Sequence, residues 1–177
     1  MADALSTVVQ RPGYRSGGYL LFGATGVILT ALAFEHYGGY APCPLCLVQR
    51  YAYYAAIPLA FMGLVFVGAN RFATAGILFL IAGLGFAANA FLGGYHAGIE
   101  WGWWPGPTTC AQPAADLGGA GGLLNALQNN SVVSCSEAGF RALGLSFAGW
   151  NALISAALAA CGLYAANQTL DRPPEAV

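Results

Sequence analysis

The chain has 177 residues and a net charge of -1, and 58% of its residues are hydrophobic while only 7% are charged. An ordinary soluble domain carries about 25% charged residues, so this composition excludes a water-soluble globule and is typical of a membrane protein. The chain has no lysine and only six scattered arginines, so we expect no nucleic-acid partner, which would require a cluster of basic residues.

Four long uncharged apolar runs, of 19 to 29 residues, predict the membrane spans. Each run is long enough as a helix to cross a hydrocarbon core of about 30 Å, which takes about 20 residues. We predict an all-α membrane protein, a four-transmembrane-helix bundle that forms a single membrane domain over residues 1–177. The predicted spans cover about residues 18–36, 46–69, 72–96 and 143–167.

The first predicted span shares features with a cleavable signal peptide. Arg11 and Arg15 precede the apolar run, and the small-residue sequence Ala31-Leu32-Ala33 lies near its end. The apolar stretch is longer than the roughly 7 to 15 residues of the apolar h-region in a signal peptide. We therefore expect this segment to be retained as the first helix.

The second span opens with two cysteines in the sequence Cys-Pro-Leu-Cys, at Cys43 and Cys46. Pro44 suits the first turn of a helix, and the free N–H groups there favour an anion. Arg50 lies one turn after Cys46 on the same face, so both influences stabilise a thiolate at Cys46. An arginine this close to the hydrocarbon layer is costly and usually has a functional role. The alternative is structural: the cysteines staple the helix start, and Arg50 is an anchor that reaches the interface.

The connection between the third and fourth spans, about residues 98–142, is predicted to be a long loop on the outer side. Its uncharged interval Leu117–Ser136 has the length of a span, but it is rich in Asn, Gln, Ser and Gly. Within it, Leu123, Leu124 and Leu127 have helical spacing and predict a short amphipathic turn on the membrane surface.

The arginines are divided unequally between the two ends of the predicted bundle. Since basic residues favour the cytoplasmic side of a membrane, we predict cytoplasmic termini and an outward-facing long loop. The predicted cytoplasmic end has Arg11, Arg15, Arg71 and Arg172, and the other end has Arg50 and Arg141.

Four of the five cysteines fall on the predicted outer face: Cys43, Cys46, Cys110 and Cys135. An extracytoplasmic compartment is oxidising, so we expect disulfides there rather than free thiols. Cys161 lies within the fourth span, and we interpret it as a small packing residue.

Cys110 and Cys135 allow more than one interpretation. If bonded to each other they would enclose 24 residues, and such a bond stabilises a fold by roughly 3 to 4 kcal/mol, so the pair could be purely structural. The four outer thiols could also form a zinc site, but the second half of the usual zinc knuckle is missing. We therefore expect no metal.

Two redox-active cysteine pairs on one face would need a final electron acceptor, because thiol exchange only passes two electrons onward. The sequence has no flavin or nicotinamide fingerprint and no CxxCH motif for haem attachment. A lipid-soluble acceptor that reaches Cys46 through the bilayer, such as a quinone, is the simplest acceptor that fits.

Four segments together form a pattern that is far more specific than CxxC alone. They are CPLCLVQR from Cys43 to Arg50, GPTTC ending at Cys110, Cys135 in the same loop, and LGLSFAGW from Leu143 to Trp150. This ordered pattern resembles the DsbB family of disulfide bond formation proteins, over about residues 18–170.

The resemblance implies a bacterial inner-membrane enzyme that reoxidises a DsbA-like periplasmic thiol oxidase. Cys110, paired with Cys135, would be the cysteine that the reduced DsbA-like partner captures in a mixed disulfide. Electrons would then pass to the pair Cys43 and Cys46 and on to a membrane quinone, ubiquinone or menaquinone.

The resemblance also implies the residues that face the quinone. Cys46 would be the cysteine nearest to it, and Arg50 would help to stabilise the contact between thiolate and quinone. His96 resembles a histidine that the family places near the quinone. Without the resemblance, a lone histidine among interfacial aromatic residues is more often a hydrated or capped side chain.

Two further classes of protein stay open at this point. One is an enzyme similar to vitamin K epoxide reductase, which also combines four helices, a CxxC motif and quinone chemistry, but would carry the motif on a late span. The other is a non-enzymatic four-helix membrane scaffold with structural disulfides.

Overall fold

Four long helices make up most of the computed structural model, which describes residues 9–107, 135 and 141–171. The helices are α1 Tyr14–His36, α2 Pro44–Gly68, α3 Phe72–Glu100 and α4 Phe147–Leu170. Each of them is long and apolar enough to cross a membrane, which confirms the predicted four-helix membrane fold. The turn predicted at Leu123, Leu124 and Leu127 lies outside the described residues.

Contacts at one end of the bundle show that the helices run antiparallel. The guanidinium of Arg11 donates to the carbonyl oxygens of Val67 and Gly68 at the end of α2, at 2.9 and 2.7 Å. The backbone N–H of Gly13 donates to Gln168 Oε1 near the end of α4, at 3.1 Å. The start of α1 therefore lies beside the ends of α2 and α4, and the start of α2 lies at the opposite end with the end of α3.

Small residues let α3 and α4 approach closely in the middle of the bundle. A Cβ built on Gly162 would lie 2.8 Å from the Cα of Gly83, which leaves room for glycine only. Small residues at helix interfaces allow such close packing in membranes. Packing matters there because the hydrophobic effect does not drive helices together within lipid. Phe79 and Phe86 of α3 are fully buried in the surrounding core.

The end of α3 extends one turn beyond the predicted boundary at residue 96. It reaches Glu100, so that His96 and Glu100 lie one turn apart on the same helix. This extension brings a carboxyl group into the cluster of side chains around the CxxC motif.

The start of α4 follows a two-stranded hairpin. Strands β1 Arg141–Ala142 and β2 Leu145–Ser146 pair antiparallel, and the turn between them has positive φ at Leu143 and Gly144. Ser146 caps α4, because its Oγ accepts from the backbone N–H of Gly149 at 3.2 Å. The helix thus begins four residues later than the predicted residue 143.

Candidate functional site

The CxxC motif lies at the start of α2, and Cys43 occupies the N-cap position. Pro44 follows at the first helical position, where its missing N–H costs nothing. The Cys43 sulfur accepts a hydrogen bond from the backbone N–H of Cys46 at 3.1 Å, as the side chains of serine and aspartate do at other N-caps. Both cysteines of the motif are free thiols, whereas the oxidising compartment led us to expect a disulfide.

Cys43 has the environment of a reactive thiolate. A hydrogen bond from the Cys46 side chain lowers the pKa of Cys43 to about 5, against the opposing effect of burial, and the His96 side chain adds to the lowering. A thiol with so low a pKa is ionised at neutral pH and is therefore a ready nucleophile. Our sequence reasoning placed the thiolate at Cys46, but the N-cap geometry directs the hydrogen-bond donors to Cys43.

Cys135 approaches Cys43 across the same end of the bundle. The sulfurs of Cys43 and Cys135 and a ring nitrogen of His96 all lie within 4.8 Å of one another, and all three residues are buried. Cys135 is in a disulfide. The site thus sets a free thiol directly beside a disulfide sulfur, the arrangement from which thiol–disulfide exchange proceeds.

The same three side chains have the spacing of a metal site. Zinc in proteins is held by thiolates and imidazoles, usually four of them. The sulfur of Cys135 is bonded to another sulfur and carries no negative charge for a metal. While that bond is present, the cluster is suited to sulfur exchange and not to metal binding.

His96 is part of this cluster and is not a hydrated interfacial side chain. Only 2% of it is exposed. Its Nε2 lies 3.7 Å from the Cys43 sulfur, and its Nδ1 lies 3.1 Å from Gln49 Nε2. The imidazole can therefore act directly on the Cys43 sulfur.

Arg50 is bound to a carboxylate that our sequence analysis gave no role. Its Nη1 donates to Glu35 Oε2 at 2.5 Å, and the side chains are 14% and 28% exposed. Glu35 lies at the end of α1, one residue before the last. The ion pair neutralises the guanidinium close to the hydrocarbon layer and joins α1 to the first turns of α2.

Glu100 is a second acidic residue to which our sequence analysis gave no role. Its side chain is 6% exposed, and its Oε1 lies 3.9 Å from His96 Nε2. Its other oxygen, Oε2, is buried without a hydrogen-bond partner among the described residues. Glu100 thus places a carboxyl group beside the histidine and the thiol.

Five buried or partly buried polar side chains within the spans were also missed by the sequence analysis. They connect α2, α3 and α4 by hydrogen bonds, and their only signal in the sequence is that polar residues interrupt apolar runs. They are Gln49, Tyr53, Asn89, Asn151 and Ser155.

The remaining cysteines stand as follows. Cys161 is a free thiol in α4 and packs partly buried against the apolar core, in agreement with a packing role. Cys110 lies outside the described residues. Its pairing with Cys135 and its capture by a partner therefore stay predictions.

Comparison with known proteins identifies relatives over most of the chain. The family described as "Disulfide bond formation protein DsbB" matches residues 15–165. A curated relative, "Disulfide bond formation protein B" of Polaromonas sp. strain JS666, is 29% identical over 137 residues, which cover 75% of this chain and 77% of the relative. No solved structure matches the chain significantly.

Proposed function

Because this chain belongs to the DsbB family of disulfide bond formation proteins, we propose that it reoxidises a DsbA-like periplasmic dithiol oxidase. In this proposal the two electrons pass through Cys43 and Cys46 to a membrane quinone, ubiquinone or menaquinone. The observation that carries the proposal is the position of the low-pKa thiol of Cys43 within 4.8 Å of the disulfide sulfur of Cys135.

The first half of the cycle oxidises the partner. A thiolate of the partner attacks Cys110 in the proposed Cys110–Cys135 disulfide, forms a mixed disulfide with Cys110 and releases Cys135 as a thiolate. The partner's second thiolate then attacks its own sulfur in the mixed disulfide and releases Cys110. The partner leaves with a disulfide, and the loop pair has gained two electrons.

The second half moves those electrons to the CxxC pair. The Cys135 thiolate attacks Cys43 in the oxidised CxxC pair, forms a Cys43–Cys135 bond and releases Cys46 as a thiolate. Cys110 then attacks Cys135, which restores the loop disulfide and releases Cys43. The product has Cys43 and Cys46 as thiols and Cys135 in a disulfide, as in the structure.

The residues around Cys46 suit a lipid-soluble acceptor. Cys46 is partly exposed, and the next two side chains, Leu47 and Val48, are 45% and 49% exposed on the apolar surface of the bundle. A quinone, when bound there, supplies an acceptor for two electrons and two protons. Arg50 would hold it by donating hydrogen bonds to a carbonyl oxygen, and Cys46 would face its ring.

His96 is assigned to the thiol in this proposal, because its ring nitrogens contact Cys43 and Gln49. A direct contact of His96 with the quinone stays a prediction. The proposal also places the protein in the bacterial inner membrane, with the CxxC end of the bundle facing the periplasm. The excess of arginines at the opposite end supports this orientation.

The decisive experiment reconstitutes the full chain in liposomes with a reduced DsbA-like oxidase and a short-chain ubiquinone. Loss of the quinone absorbance and loss of the partner's free thiols are followed together. We expect one quinone to be reduced for each partner dithiol oxidised. Serine in place of Cys43, Cys46, Cys110 or Cys135 should each abolish multiple turnover.

Cys161→Ser is the matched control, because Cys161 is a free thiol far along α4 that the cycle does not use. This variant should retain wild-type turnover. A folded wild-type protein that oxidises no dithiol with quinone present would instead favour the non-enzymatic scaffold.

A further inference from the structure

A chain of hydrogen bonds leads from the interior of the bundle to His96. Tyr53 Oη lies 2.6 Å from Asn151 Oδ1, Asn151 Nδ2 lies 2.6 Å from Gln49 Oε1, and Gln49 Nε2 lies 3.1 Å from His96 Nδ1. These hydrogen bonds connect α2, α3 and α4. Polar side chains are expensive inside a membrane, so a connected row that ends at a reactive site calls for a functional explanation.

The direction of these bonds follows from the groups at the start of the chain. A tyrosine hydroxyl donates well to an amide oxygen at 2.6 Å, a usual length for O–H···O and a short one for N–H···O. The Asn151 oxygen is then occupied as an acceptor, and its amide nitrogen donates to Gln49 Oε1. The amide nitrogen of Gln49 is left to face His96, and an amide nitrogen can only donate.

His96 Nδ1 must therefore accept, and it carries no proton. The proton of the neutral imidazole then lies on Nε2. The Cys43 sulfur at 3.7 Å and Glu100 Oε1 at 3.9 Å face that nitrogen, and the backbone of Cys135 also forms a hydrogen bond with the ring. A distance of 3.9 Å is too long for a hydrogen bond to oxygen, whereas 3.7 Å suits the larger sulfur atom. The Nε2–H is thus directed to the side where Cys43 and Cys135 meet, and not to Glu100.

We propose that Gln49 and Asn151 are positioning residues for the thiol chemistry, which hold His96 in the tautomer whose Nε2–H donates to the Cys43 sulfur. Asn151 fixes the Gln49 amide, and Gln49 fixes the imidazole. Neither residue touches the reacting sulfur. The proposal rests on the proposed function only in that Cys43 is the reacting thiol.

Other ionisable groups also face His96, and they are the same in the test variants and in the protein with which these are compared. Glu100 lies on its own helix, and Cys135 approaches from the segment before α4. Glu100 in turn interacts with Ser146 and with the charge of Arg141. The test variants leave Glu100, Arg141 and Ser146 unchanged.

The tautomer is read directly by nitrogen NMR of the full chain with labelled histidine. The chain has only two histidines, so a His36→Gln variant assigns both. The cysteines other than Cys43 are replaced by serine, or by alanine at Cys161, to hold Cys43 as a free thiol. We expect His96 to show an unprotonated Nδ1 and a protonated Nε2 at neutral pH.

Gln49→Glu tests whether position 49 controls the tautomer. The carboxylate can only accept, so the variant should place a proton on Nδ1 of His96. A merely structural role for Gln49 would leave the nitrogen shifts unchanged. Wild-type protein with its proton on Nδ1, or a Gln49→Glu variant with the wild-type pattern, would overturn the proposal.

The consequence for the thiol is measured as the pH profile of Cys43 alkylation by iodoacetamide in the same single-cysteine chain. Gln49→Met and Asn151→Leu should each raise the midpoint by about one to two pH units, since a hydrogen bond to a charged group is lost or misaligned. Asn89→Leu is the matched control: Asn89 is a buried amide of α3 that donates to Ser155 and contacts none of Tyr53, Asn151, Gln49 and His96 by a hydrogen bond among the described residues, so the midpoint should not move.

Circular dichroism and thermal unfolding identify any variant that has failed to fold. If Gln49→Met is unfolded, Asn151→Leu and Gln49→Glu still decide the proposal. Unchanged midpoints in folded Gln49→Met and Asn151→Leu would contradict it. These measurements need neither quinone nor a partner, so their failure is distinct from a failure of the proposed function.

Discussion

The sulfur of Cys43 lies within 4.8 Å of the sulfur of Cys135, although 92 positions separate the two residues in the chain. One sulfur is a thiol that caps a helix, and the other is part of a disulfide. The contact links the CxxC motif on α2 to the segment before α4. It makes direct exchange between the two cysteine pairs the central chemical expectation for this protein.

Removal of Cys46 and Cys110 together should trap the intermediate of that exchange. Either residue can resolve a Cys43–Cys135 bond: attack by Cys46 restores the CxxC pair, and attack by Cys110 restores the loop pair. In Cys46→Ser/Cys110→Ser both resolving thiols are absent, and mild oxidation with copper phenanthroline should give a stable Cys43–Cys135 cross-link, detected by mass spectrometry of peptides digested without reduction. The comparison is Cys43→Ser/Cys110→Ser, in which Cys46 should form far less of a bond to Cys135. A Cys43 thiol that stays fully open to alkylation in oxidised Cys46→Ser/Cys110→Ser would contradict the exchange.

The low pKa of Cys43 predicts a distinct pH dependence. Its pKa is about 5 in the folded protein against 9.0 for an ordinary thiol, so Cys43 should react with iodoacetamide at a nearly constant rate above pH 6. The rate should fall as the pH drops through about 5. A midpoint near that of free N-acetylcysteine, measured alongside, would show that the site does not stabilise the thiolate.

The same pKa has a consequence for stability. Between pH 5 and 9, Cys43 carries its proton in the unfolded state but has released it in the folded state. The free energy of unfolding should therefore rise with pH over this range, and the stabilisation that the thiolate contributes should be lost as the pH falls toward 5. Thermal unfolding of the reduced protein at pH 6 and pH 8 measures the difference. Cys43→Ser should show a smaller difference, and an equal one would argue against the lowered pKa.

Arg50 and Glu35 should differ in their effects on turnover. Arg50→Gln should lower quinone-dependent turnover by about tenfold or more, since hydrogen bonds from a charged donor contribute about 1.5 to 3 kcal/mol. Glu35→Gln keeps the guanidinium and removes a partly exposed ion pair worth about 1 kcal/mol or less. It should leave turnover close to wild type. If Glu35→Gln is as slow as Arg50→Gln, the ion pair and not the arginine itself is required.

Impermeant thiol labels test the proposed orientation. In a chain without native cysteines, Trp103→Cys marks the CxxC end and Asn70→Cys marks the connection between α2 and α3, and both positions are exposed. An impermeant maleimide should label position 103 in intact cells and position 70 only after lysis. The reverse pattern would place the redox site in the cytosol and refute the proposed function.

The close packing of α3 on α4 predicts a difference between two glycines of one helix. Gly83→Ala should destabilise the protein by about 1 to 3 kcal/mol, because its Cβ would meet the backbone of α4 at 2.9 Å. Gly85→Ala is the matched control, since no atom lies within 4 Å of its added Cβ. Unfolding by denaturing detergent measures both, and equal stability of the two variants would contradict the packing described.

Part of the site could be predicted from local sequence. Pro44 and the apolar run after it indicate a helix that begins at the CxxC motif, and α2 begins there. The sequence analysis placed the thiolate at Cys46, whereas the N-cap rule points to Cys43. A side chain at the N-cap accepts from the N–H three residues later, so it is Cys43 and not Cys46 that receives the donor.

The partners of His96 and Arg50 could not be predicted in this way. Arg50 binds Glu35 on a different helix, and the amide that supports Gln49 is 102 residues away at Asn151. Polar residues within a span signal that a partner exists, because an unpaired polar group in lipid is costly. They do not identify the partner, since several faces of three helices are equally available.

The amino-acid sequence alone was sufficient for the four spans, the helix that starts at CxxC and the family resemblance, because span length, hydropathy and motif spacing are properties of contiguous residues. The tertiary structure alone brought Cys43, Cys135 and His96 together. That meeting depends on how closely and in which rotation the helices pack, as at Gly83 and Gly162. Rotation and approach are set by contacts between distant segments, and no linear pattern in one chain encodes them directly.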